Sequence, residues 1–271
     1  MKIFAIRDEN DTTGKNLAWL LYYEMEKRFY IELPDDADPW ETPMLLSSFL
    51  KRGERTVNAY WSKLWVQQRI VPPDRQNLGQ ILRDNGLNAY DEFELLILAD
   101  GRCSQDDHYL VPIAENELPI ELAARFLKKI EDVVPLSEKQ LLVFFRDGLI
   151  KKCNLRPILE KSATFARLIK SDDLFRTVSV QTGGFGVCWG ENLNLADNVL
   201  YSCGEVIPLS SDDFRSFVEM RIINTAEASE LLECSRQNID DLIRRGKLHP
   251  VKSSPKNRLF LKSEITQRMW K

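Results

Sequence analysis

The chain has 271 residues, 44% hydrophobic and 29% charged, with a formal charge of −4 and two histidines. That length suits two or three domains, and the balance is that of a soluble globular protein. No apolar run approaches the roughly 20 residues a helical membrane span needs, and two histidines exclude zinc-finger spacing.

Residues 3–7 form an expected first strand. In "LAWLLYYEMEKRFYIELP" the polar Glu26-Lys27 separates two runs rich in aromatic β-formers, which predicts a hairpin, with a single helix of about 20 residues as the rival reading. "DDADPWETPMLLSSFLKRG" has a polar, proline-containing entry and ends on Gly53, the punctuation of a helix. "TVNAYWSKLWVQQRIVPP" predicts a second helix, with Trp61 and Trp65 on one face and Pro72-Pro73 as its stop. "DRQNLGQILRDNG" predicts a helix from an Asp74 cap to Gly86, and "DEFELLILAD" another. These elements make an N-terminal hairpin-plus-helices domain, residues 1–118.

"IELAARFLKKI" (120–130) is an amphipathic helix, and "DVVPLS" reads as a linker. Beyond Gln140 the period changes. "QLLVFFRDG" and "LIKKCNL" flank an Asp-Gly turn, a hairpin signal. "FARLIKSDDLF" is a short helix and turn, and "RTVSVQTGGFGVCWGENLNL" a strand, a Gly-Gly break and another strand. The expected middle domain is a small α+β unit, residues 119–210.

From Leu141 to Tyr201 the chain resembles a small bacterial family known as domain of unknown function 2442. "NLRPIL", the acidic turn after Phe165, and "GVCWGENLNLADNVLY" carry the resemblance, with Gly186, Trp189, Asn192, Leu195, Leu200 and Tyr201 in the family's pattern. Asn192-Leu193-Asn194 departs from the family's usual Gly-x-Asp. The resemblance implies a small α+β domain, with no catalytic residues, often encoded beside toxin-like partners and sometimes followed by a helix-turn-helix. Trp189 reads as core, with a partner-binding surface as the alternative.

The charge is uneven. Arg221–Lys271 carries 11 Lys+Arg against 6 Asp+Glu, or +5, which leaves −9 for the rest. A basic end on an acidic body points to a polyanion-binding module. Asn224 to Glu227 has the spacing of a helix capping box. Ser235 is placed to cap a second helix by accepting from the N–H of Gln237 or Asn238. Ile239, Leu242 and Ile243 form its inner face, and Gly246 ends it. Leu248, Val251, Leu259 and Leu261 flank "SSPKN" in a hairpin with a basic tip, and Ser263 to Trp270 is a last helix.

Residues 221–271 resemble the excisionase and MerR-type winged helix-turn-helix at Glu227, Ala228, Leu231 or Leu232, Ser235, Ile239, Ile243, Gly246, Lys247 and Leu248. They depart at Ser229, Cys234 and above all Glu233, which stands where the family turns on Gly and must accept that geometry. The resemblance implies double-stranded DNA as ligand, with docking of a protein through the same fold as the alternative. Arg236, Gln237 and Asn238 would then read bases, with Ser235 at the helix start. Arg244, Arg245, Lys247, Lys252, Lys256 and Arg258 would meet phosphates or the minor groove. Asp240 and Asp241 are expected on the far side or in a protein contact.

"YWSKLWVQQRIVPPDRQNLGQILRDNGL" and "LLILADGRCSQDDHYLVP" resemble a segment of phage-associated HipA-like kinase proteins, at Trp65, Arg69, Pro72, Arg75, Gly101, Asp106 or Asp107, and Tyr109. The chain has no kinase loop or Mg²⁺ motif, so no kinase activity carries over. Asp106-Asp107-His108 reads as an exposed polar turn, with a metal or acid–base site as the alternative.

"MKIFAIRDEN" does not resemble a secretory signal, so the cytoplasm is expected. Cys103, Cys153, Cys188, Cys203 and Cys234 form no CxxC and read as reduced thiols. The fold class is therefore α+β and multidomain. The expectation is a non-enzymatic, sequence-specific DNA-binding regulator, an autorepressor of a bacterial, phage or mobile-element locus. It would be a homodimer with no cofactor, no metal and no membrane contact, and with a possible protein partner encoded nearby. The alternative is an antitoxin-like or adaptor protein that holds a partner.

Overall fold

A computed structural model describes residues 1–190, 192–255 and 257–269. Helix accounts for 40% and strand for 25%, which makes the chain a mixed α+β protein. It divides into two compact units, one of Met1–Asp147 with Cys153–Gly204, the other of Gly148–Lys152 with Glu205–Lys271. The boundary read from the sequence at 118/119 lies inside the first unit.

The first unit opens with three antiparallel strands, β1 (Lys2–Asp8), β2 (Ala18–Tyr23) and β3 (Arg28–Glu32). Then follow α1 (Met44–Lys51), edge strand β4 (Thr56–Val57), α2 (Ala59–Gln67), α3 (Leu78–Asp84) and α4 (Glu92–Leu98). β5 (His108–Ile113) returns to pair with β1, giving the order β4-β3-β2-β1-β5. The hairpin and the helices α1, α2 and α4 lie where the pattern placed them. α3 differs: it starts at Leu78 without a side-chain cap, because the residues after Asp74 first turn, with Leu78 N donating to Arg75 O. β5 is also new. Its apolar run is short and holds Pro112, which an edge strand tolerates. It becomes a strand because β1 offers it six facing residues, from Asp8↔His108 to Ile3↔Ile113.

Both faces of this sheet are covered, which is why β2 reads as an unbroken apolar run. Phe4, Ile6, Leu20, Tyr22, Phe29 and Ile31 pack against Phe49 of α1, Trp65 of α2 and Phe93 of α4. Ile3, Leu21 and Tyr30 point the other way and meet Phe185. Ala5 and Trp19 meet Leu122 on α5 (Ile120–Leu127).

The unit continues with β6 (Ile130–Pro135), antiparallel to β7 (Gln140–Phe145). β6 takes in the segment read as a linker; its acidic residues and Pro135 masked a strand that keeps Ile130 and Val133 buried. β8 (Ile150–Asn154) follows the Asp147-Gly148 turn, where Gly148 has φ +84°; its residues 150–152 belong to the second unit. Then come short helices α6 (Arg156–Glu160), α7 (Ala166–Lys170) and α8 (Asp172–Arg176), strands β9 (Ser179–Val180), β10 (Gly186–Trp189) and β11 (Leu193–Ala196), and α9 (Asp197–Cys203). The Gly-Gly break admits the β6 backbone: at Gly184, φ +79°, a side chain would collide with the carbonyl of Ile130. Trp189 is core, its Nε1 donating to Phe175 O at 2.8 Å.

In the second unit, β12 (Glu205–Ile207) pairs with the first residues of β8. α10 (Ser211–Arg221) follows, and then β13 (Ile222–Asn224), α11 (Thr225–Leu231), α12 (Arg236–Arg244), β14 (Lys252–Ser253), β15 (Arg258–Leu261) and α13 (Lys262–Met269). The expected hairpin β14–β15 is there, and β13 adds a third strand, in the order β13-β15-β14. Ile223, Ala228, Ile239, Leu248, Phe260 and Ile265 make its small core. The expected helix end at Trp270 and the tip residue Lys256 lie outside the described residues.

Candidate nucleic-acid interface

α11 begins at a capping box. Asn224 Oδ1 accepts from Ala226 N at 2.8 Å and Glu227 N at 3.1 Å, and Glu227 Oε2 accepts from Asn224 N at 2.7 Å. Glu233 then turns the chain with φ +50°, the left-handed conformation that glycine adopts without cost. Ser229 Oγ fixes the turn by donating to Cys234 O.

Ser235 starts α12 by accepting from Asn238 N at 3.3 Å. Of the helix's nine residues only Ile239 is fully buried, so α12 lies on its core by one narrow stripe. Its C-terminus closes in a Schellman motif: Lys247 N donates to Leu242 O at 2.8 Å and Gly246 N to Ile243 O at 2.9 Å, with Gly246 at φ +64°.

The proposed contact residues fall into two sets. Arg236, Gln237 and Asn238 occupy the first turn of α12 with exposed side chains; Lys247 and Lys252 are exposed as well. None of Arg236, Lys247 and Lys252 has an ion-pair partner among the described residues. The second set is ion-paired within the unit, three arginines to two aspartates. Arg244 NH1 lies 3.2 Å from Asp241 Oδ1, Arg245 NH2 pairs with Asp241 Oδ2, and Arg258 NH1 with Asp240 Oδ1. Asp240 and Asp241 thus act as internal counterions, a role that spacing alone does not reveal for a residue pair as distant as Asp240 and Arg258. α13 braces the loop before the hairpin: Glu264 Oε1 accepts from His249 N at 3.0 Å, and Arg268 NH1 donates to Lys247 O at 3.1 Å.

Two charge clusters stand in the first unit. Arg69 is buried, holds its Cζ 3.7 Å from the centre of the Trp65 ring, and is paired with Asp106. Asp106 also lies 3.1 Å from His108 Nδ1, and Cys103 Sγ donates to its other oxygen at 3.5 Å. Burial pushes the Asp106 carboxyl up, but Arg69 and His108 offset this and hold it below the usual aspartate value. Burial lowers the Arg69 guanidinium. Asp106 and His108 therefore sit at a half-buried ion cluster rather than in a wholly exposed turn. Among the described residues no group of three or more His, Cys, Asp or Glu is placed to hold a metal ion.

The second cluster escaped sequence reading. Glu32 is wholly buried at the end of β3; its carboxylate accepts from Arg125 NH1 at 2.7 Å, Lys129 Nζ at 3.2 Å and Thr56 Oγ1 at 2.8 Å. Lys129 Nζ also lies 3.0 Å from Asp197 Oδ2 and 4.0 Å from the centre of the Phe185 ring. The available signal was a lone carboxylate inside the apolar "FYIELP", since a charge is rarely buried unpaired.

Residues 130–203 match a family model described as protein of unknown function (DUF2442). That span begins at β6 and ends with α9, so it includes the strand read as a linker. No curated protein and no solved structure matches the chain. No helix among the described residues is long and apolar enough to cross a membrane.

Proposed function

We propose that residues 221–271 are a winged helix-turn-helix of the excisionase and MerR type, and that the protein is a sequence-specific DNA-binding regulator, in its simplest form a repressor of its own locus. One observation carries this reading. The first turn of α12 presents Arg236, Gln237 and Asn238 side by side and exposed, on a helix capped at Ser235 and held by the single buried Ile239. Arginine pairs bidentately with guanine, and asparagine or glutamine with adenine, so this turn is suited to base edges in a major groove. Lys247 and Lys252 would flank it as phosphate contacts. The +5 charge of Arg221–Lys271 on a chain of net −4 restricts a polyanion to this end. Two copies reading paired half-sites fit the motif's usual geometry.

The test is binding of the full chain to the fragment upstream of its own gene and to a scrambled fragment, across a salt series. Affinity for the upstream fragment should fall with a log–log slope of about −0.9 per phosphate contacted. Arg236→Ala should reduce discrimination between the fragments by about 1–3 kcal/mol, and Lys252→Ala should weaken both alike. Absence of a salt-sensitive complex on both fragments overturns the reading.

A further inference from the structure

The first unit holds a cavity of about 700 Å³ between the end of its first sheet and the segment that matches the family model. That is the size of a small-molecule site. Arg125, Lys129 and Asp197 of the buried cluster line it, and there Arg125 and Lys129 are matched by Glu32 and Asp197. Three other cations of the lining are not matched. Arg28, Arg55 and Lys128 also line it. No carboxylate among the described residues pairs with any of the three. Arg55 NH2 donates only to the backbone oxygen of Asp35, at 2.9 Å, and Lys128 lies 5.5 Å from the centre of the Tyr201 ring. Glu54, the remaining acid of the lining, is already paired with Arg52 at 3.1 Å.

Three unmatched cations around one concavity on an acidic chain raise the local concentration of anions. Two further features narrow the ligand. Tyr60 lines the cavity, meets the Trp61 ring at 87° and 5.4 Å, and is still 71% exposed, which suits contact with a flat ring. Asn194 of β11 and Asn198 of α9 are exposed residues of the lining, and each side-chain amide has both a donor and an acceptor.

We propose that this cavity binds a nucleotide-sized phosphorylated small molecule, its phosphate received by Arg28, Arg55 and Lys128 and its ring laid on Tyr60. The binding needs no metal and does not depend on whether the second unit reads DNA.

The test is calorimetric titration of the full-length protein with AMP, GMP, CMP and UMP, with inorganic phosphate and adenosine as controls. At least one monophosphate should bind more tightly than phosphate, and adenosine should not bind at the same concentration. Arg28→Gln with Lys128→Gln should weaken the complex about tenfold or more, through loss of charge-assisted hydrogen bonds. Arg28→Lys should recover part of the loss. Both residues are exposed, so the double variant should melt at the wild-type temperature without ligand. Tyr60→Ala should weaken nucleotide but not phosphate. Failure of all four monophosphates at millimolar concentration, or binding unchanged in the double variant, overturns the proposal.

Discussion

Arg258 on β15 is ion-paired with Asp240 on α12. The two lie 18 positions apart, and the pair joins the hairpin to the helix whose first turn carries Arg236. One of the basic side chains counted toward DNA is therefore engaged at home. Asp240→Asn should release it. If the DNA reading is right, affinity for any fragment should rise and the salt slope steepen by about one phosphate contact. Stability should change by less than about 1 kcal/mol, because half-exposed ion pairs contribute little. Titrations of both proteins over a salt series decide this.

Glu233 offers a test of the turn. Its φ of +50° is one that residues with a Cβ adopt at a cost. Glu233→Gly should therefore stabilise the second unit by about 1 kcal/mol, read as a higher chemical-denaturation midpoint. A β-branched residue there should destabilise it. No change on Glu233→Gly would mean that local contacts, such as Ser229 on Cys234 O, already offset the strain.

The two caps of the same unit should be separable. Ser235→Ala removes the acceptor for Asn238 N, and Asn224→Ala the acceptor for Ala226 N and Glu227 N. Each should cost about 1 kcal/mol, and because the caps serve different helices, the double variant should be close to additive. Circular dichroism melts of the full chain check both statements.

Lys129 should be among the least replaceable residues of the first unit. It is 2% exposed and lies between Glu32 and Asp197. Lys129→Met leaves two carboxylates without their shared cation, one of them wholly buried, at a cost of about 3–5 kcal/mol. Replacing Glu32 by Gln together with Lys129 by Met should recover part of that loss, since less uncompensated charge stays buried. Urea unfolding of the single and double variants measures the difference.

Acid should act on the first unit through Asp106. Its carboxyl is held below the ordinary value of 3.8, so the unfolded chain binds more protons there than the folded one. The stability it contributes is present above pH 3.8 and is lost as pH falls through its folded value. The Asp106→Asn variant should be less stable than the wild type at neutral pH, and its unfolding midpoint should fall less between neutrality and strongly acidic pH. Parallel slopes for the two proteins would exclude Asp106 as a contributor.

The amino-acid sequence determined the elements that rest on neighbours along the chain. The capping box at Asn224, the cap at Ser235, the Gly246 helix end and the Asp147-Gly148 turn are set by groups within a few residues of one another, so spacing exposes them. The 130–203 module was legible from Trp189 and the residues after it, though not its first strand, where Asp132 and Pro135 interrupt the alternation. What pairs across long separations was decided only by the tertiary structure. β5 is a strand because β1 lies beside it, and β13 because β15 does. Lys129 can be buried because Glu32 and Asp197 reach it from far along the chain, and Arg258 is neutral in effect because Asp240 faces it. Such contacts depend on which surfaces meet on folding, which local periodicity and composition do not encode.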